Sequence, residues 1–148
     1  MKMFISLPMR GRSNEEIGKD ISRVEKFLIK KLKEVLPSVN ADCDLVFVHN
    51  LECPKPEVKN EPVGYLAIAI HELANCDALV RLFPATRYGK TTGCNIEQSI
   101  ADNYGIPVIQ IRENHTTHEL SITDIFFRGS SSNTIYPANY RDEDECSY

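Results

Sequence analysis

A chain of 148 residues with 42% hydrophobic and 26% charged side chains has ordinary globular composition. That length can bury roughly two-thirds of the unfolded surface around a single core. No apolar run approaches the ~20 residues of a membrane span, and Met1-Lys2-Met3-Phe4-Ile5 meets Pro8 and Arg10 before a signal-peptide core can form; the expectation is a cytoplasmic protein without a membrane partner. The formal net charge is −4, the densest charge is the acidic run Asp142-Glu143-Asp144-Glu145, and no Lys/Arg cluster is interleaved with aromatics. Polymeric nucleic acid is therefore disfavoured, while a single nucleotide needs only one local anion site. The five cysteines are scattered, with no C-x-x-C pair, so neither a disulfide framework nor a metal site is indicated, and no cofactor is expected.

In chain order, Met3 to Leu7 reads as a buried first strand ending at Pro8. Ser13-Asn14-Glu15-Glu16 supplies a capping box before Ile17, Ile21, Val24, Leu28 and Leu32 at helical spacing, and that helix stops before Pro37. Leu45 to Val48 reads as a strand, and residues 49 to 62, with Pro54, Pro56 and Pro62, as a loop. A helix is expected from about Gly64 to Asn75, with Leu66, Ala69, Ile70 and Leu73 on one face, and a third strand from Ala78 to Phe83. Pro84 to Gly93 reads as a loop, Cys94 to Tyr104 as a third helix stopped by Gly105 and Pro107, and Val108 to Ile111 as a fourth strand. Residues 120 to 127 suggest one more short element; Gly129 to Tyr148 has the composition of a tail. Strands alternating with helices imply right-handed crossovers and an α/β three-layer sandwich, with a mainly parallel sheet of four or five strands.

In such a sheet the ligand crevice lies beyond the carboxyl ends of the strands. Two loops qualify, residues 7 to 13 and 84 to 96. The first brings Arg10, Gly11 and the free N–H groups of a helix start together, which suits a phosphate monoester and equally suits a plain strand-to-helix connection. The second nearly spells G-x-x-x-x-G-K-[ST] in Pro84-Ala85-Thr86-Arg87-Tyr88-Gly89-Lys90-Thr91, but the required first glycine is Pro84 and the next helix is expected to start later, so an NTPase is disfavoured. Glu97 is expected in the first turn of the third helix, where the dipole favours an ionised carboxylate; it reads as a capping choice or as a group that can attack a sugar carbon. His71-Glu72 begins like H-E-x-x-H, but residue 75 is Asn, and Asp77 is expected to anchor the start of the third strand.

Taken together, Phe4-Ile5-Ser6-Leu7-Pro8-Met9-Arg10-Gly11, then Tyr65-Leu66 through Ala74-Asn75-Cys76-Asp77, then Gly93-Cys94-Asn95-Ile96-Glu97 through Tyr104-Gly105-Ile106-Pro107-Val108, resemble the nucleoside 2-deoxyribosyltransferase-like superfamily over about residues 1 to 112. The likeness is nearest to a small bacterial and phage branch. The resemblance implies a Rossmann-like, flavodoxin-like fold, usually oligomeric, that cleaves or exchanges the N-glycosidic bond of a nucleoside or its 5′-monophosphate. Glu97 matches the family nucleophile; Pro8, Met9, Arg10, Gly11, Thr91, Gly93 and Asn95 match its substrate-binding positions, with Arg10-Gly11 and Thr91 at the phosphate. Active members carry an Asp eight residues before the Asp that opens the third strand, which here is Ala69; His71 and Glu72 are the candidates to supply the base-side acid instead. Residues 1–128 are then the catalytic-type domain and 129–148 a C-terminal extension, whose Ser130 to Ser132 are candidates to contact a neighbouring subunit's site.

Overall fold

The computed structural model describes residues 1–35, 37–38, 44–88 and 91–126. The elements are β1 (Lys2–Ser6), α1 (Asn14–Val35), β2 (Val46–Val48), α2 (Glu61–Ala74), β3 (Ala78–Phe83), α3 (Thr92–Tyr104), β4 (Val108–Glu113) and β5 (Leu120–Phe126). They form an α/β unit around one five-stranded sheet of order β2-β1-β3-β4-β5. Neighbours from β2 to β4 pair in parallel, and β4–β5 is the antiparallel pair. The expected extra element beyond residue 120 is thus a full edge strand. It is reached through a turn in which the Asn114 side chain accepts from the N–H groups of Thr116 and Thr117, and His118 takes a left-handed φ of 58°.

Local chemistry accounts for the helix limits. The Ser13 hydroxyl accepts from the Glu16 N–H at 3.2 Å and opens α1, with Glu15 and Glu16 in its first turn and Lys33 in its last. Helix α2 begins earlier than its apolar pattern suggests: Asn60 caps it by accepting from the Val63 N–H at 3.2 Å, and Pro62 lies in its first turn, where a missing N–H costs nothing. Pro62 is therefore a helix-start residue and not part of a loop. Helix α3 also starts sooner than expected, at Thr92, and ends on Gly105 at φ 75°, whose N–H caps the Ala101 carbonyl.

Strand alternation divides the core between two faces. Met3, Ile5, Ala78, Val80, Leu82 and Ile111 pack against Ile17, Ile21, Val24 and Leu28 of α1. Phe4, Leu79 and Val108 pack on the other face against Ala69 and Leu73 of α2 and Ala101 of α3. Helices on both faces explain why the central strands read as continuous apolar runs. From β1 the chain goes to β2 on one side and then crosses to β3 on the other, so the strand order reverses at the β1–β3 seam. Among the described residues no helix is long and apolar enough to cross a membrane. The expected extension 129–148, with Ser130 to Ser132, lies outside the described residues.

Two glycines separate close packing from open helix surface. A Cβ at Gly64 would lie 2.6 Å from a Val58 methyl and 2.8 Å from the Pro56 ring, whereas one at Gly18 meets only Leu51, at 3.7 Å. Gly64→Ala is expected to destabilise by roughly 1–3 kcal/mol through displacement of the 56–58 segment, and Gly18→Ala to stabilise by about 0.5–1 kcal/mol through helix propensity. Urea denaturation of the two variants against wild type checks both signs.

Candidate functional site

At the seam, Ser6 of β1 stands opposite Arg81 of β3 in the parallel register. Both belong to the alternate set of residues that faces α2 and α3, and both are buried, at 2% and 1% exposure. Because α3 starts at Thr92, its second turn lies over this pair. The Ser6 hydroxyl donates to Oε2 of Glu97 at 2.5 Å, and Nη2 of Arg81 donates to Oδ1 of Asn95 at 2.9 Å. The Arg81 guanidinium also lies 4.7 Å from the Phe83 ring centre, and Arg112 approaches the same ring at 4.5 Å. A carboxyl, a hydroxyl, a guanidinium and an amide thus converge at the carboxyl ends of the two strands flanking the reversal.

The electrostatics correct one expectation. Glu97 is in the second turn of α3, past the reach of the free N–H groups, and burial pushes its carboxyl up to about 7 against the opposing pull of the Ser6 hydrogen bond and the Arg81 charge. Desolvation, and not the helix dipole, sets its ionisation. The next residue, Gln98, is 1% exposed, and neither its Oε1 nor its Nε2 has a hydrogen-bond partner among the described residues. A buried amide left in that state is a recognised cost to the fold.

On the opposite face of the sheet, at the same edge, lies a network of a different character. Arg12 donates to the Pro8 carbonyl at 2.8 Å and to Asp20 at 2.5 Å, and its guanidinium sits 4.0 Å from the Tyr88 ring centre. Arg23 reaches Asp20 at 3.4 Å and Glu113 at 2.5 Å, and donates to the His118 carbonyl at 2.6 Å. Glu113 also accepts the Ala85 N–H at 2.8 Å. Burial works to raise the Glu113 carboxyl, but the Ala85 N–H, the Arg23 guanidinium and the His118 charge outweigh it and hold it below the ordinary carboxylate range. The network ties both strand-end loops to α1.

Within the first loop, Pro8 is buried, Met9 packs against the core and its carbonyl accepts the Arg12 N–H at 3.2 Å, and Gly11 takes φ 76° with open space where a Cβ would point. Arg10 is exposed, and no hydrogen bond or ion pair to it is found among the described residues. Thr91 caps α3 through its backbone, its carbonyl accepting the Asn95 N–H at 3.0 Å, and Gly93 is exposed in the first turn with open space around its Cβ position. Asn95 faces inward to Arg81. The structure therefore brings Glu97 and Asn95 over the Ser6–Arg81 pair and leaves Arg10 and Gly11 on the first loop and Thr91 and Gly93 at the start of α3.

His71 and Glu72 are placed elsewhere. They occupy the last turn of α2, which runs back to the amino end of β3, where Asp77 accepts the Lys2 N–H at 2.7 Å. The length of β1 from Lys2 to Ser6, about 13 Å, separates that end from Glu97. They are therefore not at hand for chemistry at Glu97, and Ala69, at 1% exposure, is part of the apolar core between α2 and the sheet. Ser6, Arg81 and Gln98 are site residues that sequence reasoning passed over; the signal available was a lone arginine inside the apolar run Ala78-Leu79-Val80-Arg81-Leu82-Phe83. The start of α3 at Thr92 also removes one objection to a phosphate-binding loop at 84–91, though Pro84 still stands where its first glycine is required.

Comparison of the chain with family models, with curated proteins and with solved structures finds no match. Two open surface depressions, one lined by Lys55 to Lys59 and Glu61 and the other by Lys26, Ile29, Lys30, Lys33 and Glu34, do not involve Glu97.

Two stability measurements test the site's electrostatics. A carboxyl raised from 4.5 to about 7 by burial leaves the native state holding a proton that the unfolded chain gives up. Stability from this group is therefore lost as pH rises from 4.5 through 7, by on the order of 3 kcal/mol. Glu97→Gln, which keeps an acceptor for Ser6, is expected to match wild type near pH 4.5 and to exceed it by about 1–3 kcal/mol above pH 8; a difference that does not grow with pH would contradict the assigned burial. Gln98→Met is expected to raise stability by about 1–2 kcal/mol by removing the unpartnered amide, read from the denaturation midpoint at fixed m-value.

Proposed function

We propose that the chain binds a nucleoside 5′-monophosphate at the β1–β3 seam and cleaves or exchanges its N-glycosidic bond, with Glu97 as nucleophile. The observation that carries this reading is the placement of Glu97 over the Ser6–Arg81 pair, at the carboxyl ends of the strands where their order reverses. The strand order β2-β1-β3-β4-β5 is that of flavodoxin-like, Rossmann-like sheets, with β5 in the antiparallel sense, which supports the fold expected from the resemblance. Arg10, Gly11 and the first N–H groups of α1 would receive the phosphate, and Thr91 and Gly93 at the start of α3 follow the other strand-end loop of that edge.

In the reaction, a Glu97 oxygen attacks C1′ as the bond from C1′ to the base nitrogen breaks, and the electron pair leaves with the base, which takes up a proton. Water, or a second base, then attacks C1′, releases the carboxylate and yields the sugar phosphate or the exchanged nucleotide. Only the ionised carboxylate can attack, so a group near 7 gives an acid limb in kcat/KM at about that pH. Arg81 opposes protonation of Glu97 and so favours the attacking form. A cytoplasmic, homo-oligomeric protein acting on free nucleotides without a metal or cofactor is the setting this reading assumes.

A second reading, a protein that binds a nucleotide or nucleotide-derived signal without cleaving it, is favoured by one observation. Ala69 is core, and the Glu113 carboxylate at the same edge faces the other side of the sheet and is held by Arg23 and the Ala85 N–H, so among the described residues none is placed as the base-side acid.

Incubation with ribo- and deoxyribonucleoside 5′-monophosphates, with free base followed by chromatography and binding by calorimetry, separates the readings. Wild type is expected to release base, Glu97→Ala to release none, and Arg10→Ala to raise KM about tenfold or more for monophosphates with a much smaller effect on nucleosides. Tight binding to wild type and Glu97→Ala alike, without base release, would establish the second reading instead.

A further inference from the structure

A carboxylate that attacks carbon has two oxygens, and its reactivity depends on presenting one of them while the other is held. At Glu97 the two are not equivalent. Oε2 accepts the Ser6 hydroxyl at 2.5 Å, whereas no hydrogen bond to Oε1 is found among the described residues. Ser6 is unlike a surface rotor: it ends β1, is 2% exposed, and its strand is paired on both sides, to β2 and β3. Its hydroxyl is thus fixed to the sheet, while Glu97 comes from α3.

We propose that Ser6 is a positioning residue for Glu97, locking Oε2 so that Oε1 is the oxygen presented to the sugar carbon. This rests on the reaction proposed above and names the atom that carries it. The charged group that bears on the Glu97 carboxyl is Arg81 from β3; β1 contributes only the neutral Ser6 hydroxyl, α2 contributes no charge that reaches it, and its own helix places neutral Asn95 and Gln98 alongside, with the buried Cys94 thiol one turn earlier. Arg81 acts through its field, and its guanidinium donates to Asn95. Ser6 is therefore the direct anchor of the carboxyl group. Because the Ser6 hydroxyl stabilises the ionised form, the anchor also favours the state that attacks.

The test uses the full chain with Ser6→Ala, Ser6→Thr and Glu97→Gln. Carbon-detected NMR of the glutamate side-chain carboxyls, with Glu97→Gln assigning the signal, is expected to place the Glu97 midpoint near 7 in wild type. It should lie about one unit higher in Ser6→Ala and return toward wild type in Ser6→Thr. In turnover of a nucleoside 5′-monophosphate, Ser6→Ala is expected to lower kcat by about 10- to 100-fold with KM changed by less than about threefold. A midpoint that does not move in Ser6→Ala overturns the anchor, and a moved midpoint with unchanged kcat overturns its positioning role. If wild type releases no base, the proposed reaction fails, and the midpoint alone then decides whether Ser6 holds the carboxyl.

Discussion

A guanidinium buried inside a central strand is the constraint around which the site is arranged. Arg81 stands among apolar residues in β3, and a charge without partners at such a place is strongly destabilising. In the sheet, Ser6 lies beside it and the Phe83 ring two residues on. From above, Asn95 accepts from Nη2 of Arg81, which ties the start of α3 to the sheet. Once Asn95 is bonded to Arg81, the position of Glu97 is settled by helix geometry, and its carboxyl arrives over Ser6. Arg81 is thus a structural requirement that delivers a carboxyl to the seam.

The two polar clusters at the carboxyl edge differ in kind, and the difference follows from their partners. Glu113 has a backbone N–H and a guanidinium bonded to its two oxygens, so pairing outweighs burial and its carboxyl is held below the ordinary range. Glu97 has one hydroxyl and a guanidinium committed elsewhere, so burial defeats pairing and the carboxyl stands near 7. The first arrangement holds the 7–13 and 84–88 loops to α1 through Arg12, Asp20 and Arg23. Two arginines only two residues apart are thereby separated in role: Arg12 is used by the fold, and Arg10 stands out in solvent beside it.

The fold was legible to the extent that it depends on local pattern. The alternation of strands and helices, the Ser13 cap, the Gly105 stop and the two-sided burial of β1 and β3 all follow from sequence periodicity and turn chemistry. Where the sequence misled, the letter had two uses. Pro62 reads as a breaker and serves as a helix start because Asn60 precedes it. The Thr91 cap uses no side-chain bond, and the sequence pattern starts α3 two residues too late and places Glu97 two residues too close to the N-terminus. His71 and Glu72 are near residue 69 in the chain but face the wrong end of the sheet, which only the direction of α2 decides. The Ser6–Arg81 pairing requires the strand order, and the ionisation of Glu97 requires knowing what surrounds it; neither is written in spacing.

The site also carries a tension that bears on what it does. A protein that merely held an anionic nucleotide would gain nothing from a carboxyl at the centre of its site, since the ionised form repels phosphate and the buried neutral form costs stability at neutral pH. Glutamine at position 97 would accept from Ser6 without either penalty. The Gln98 amide, without a hydrogen-bond partner among the described residues, adds a second cost at the next residue. Costs of this sort gather where structure has been given up for chemistry. A carboxyl near 7, anchored through one oxygen by a hydroxyl fixed to the sheet, has the properties that the proposed covalent step at carbon would use.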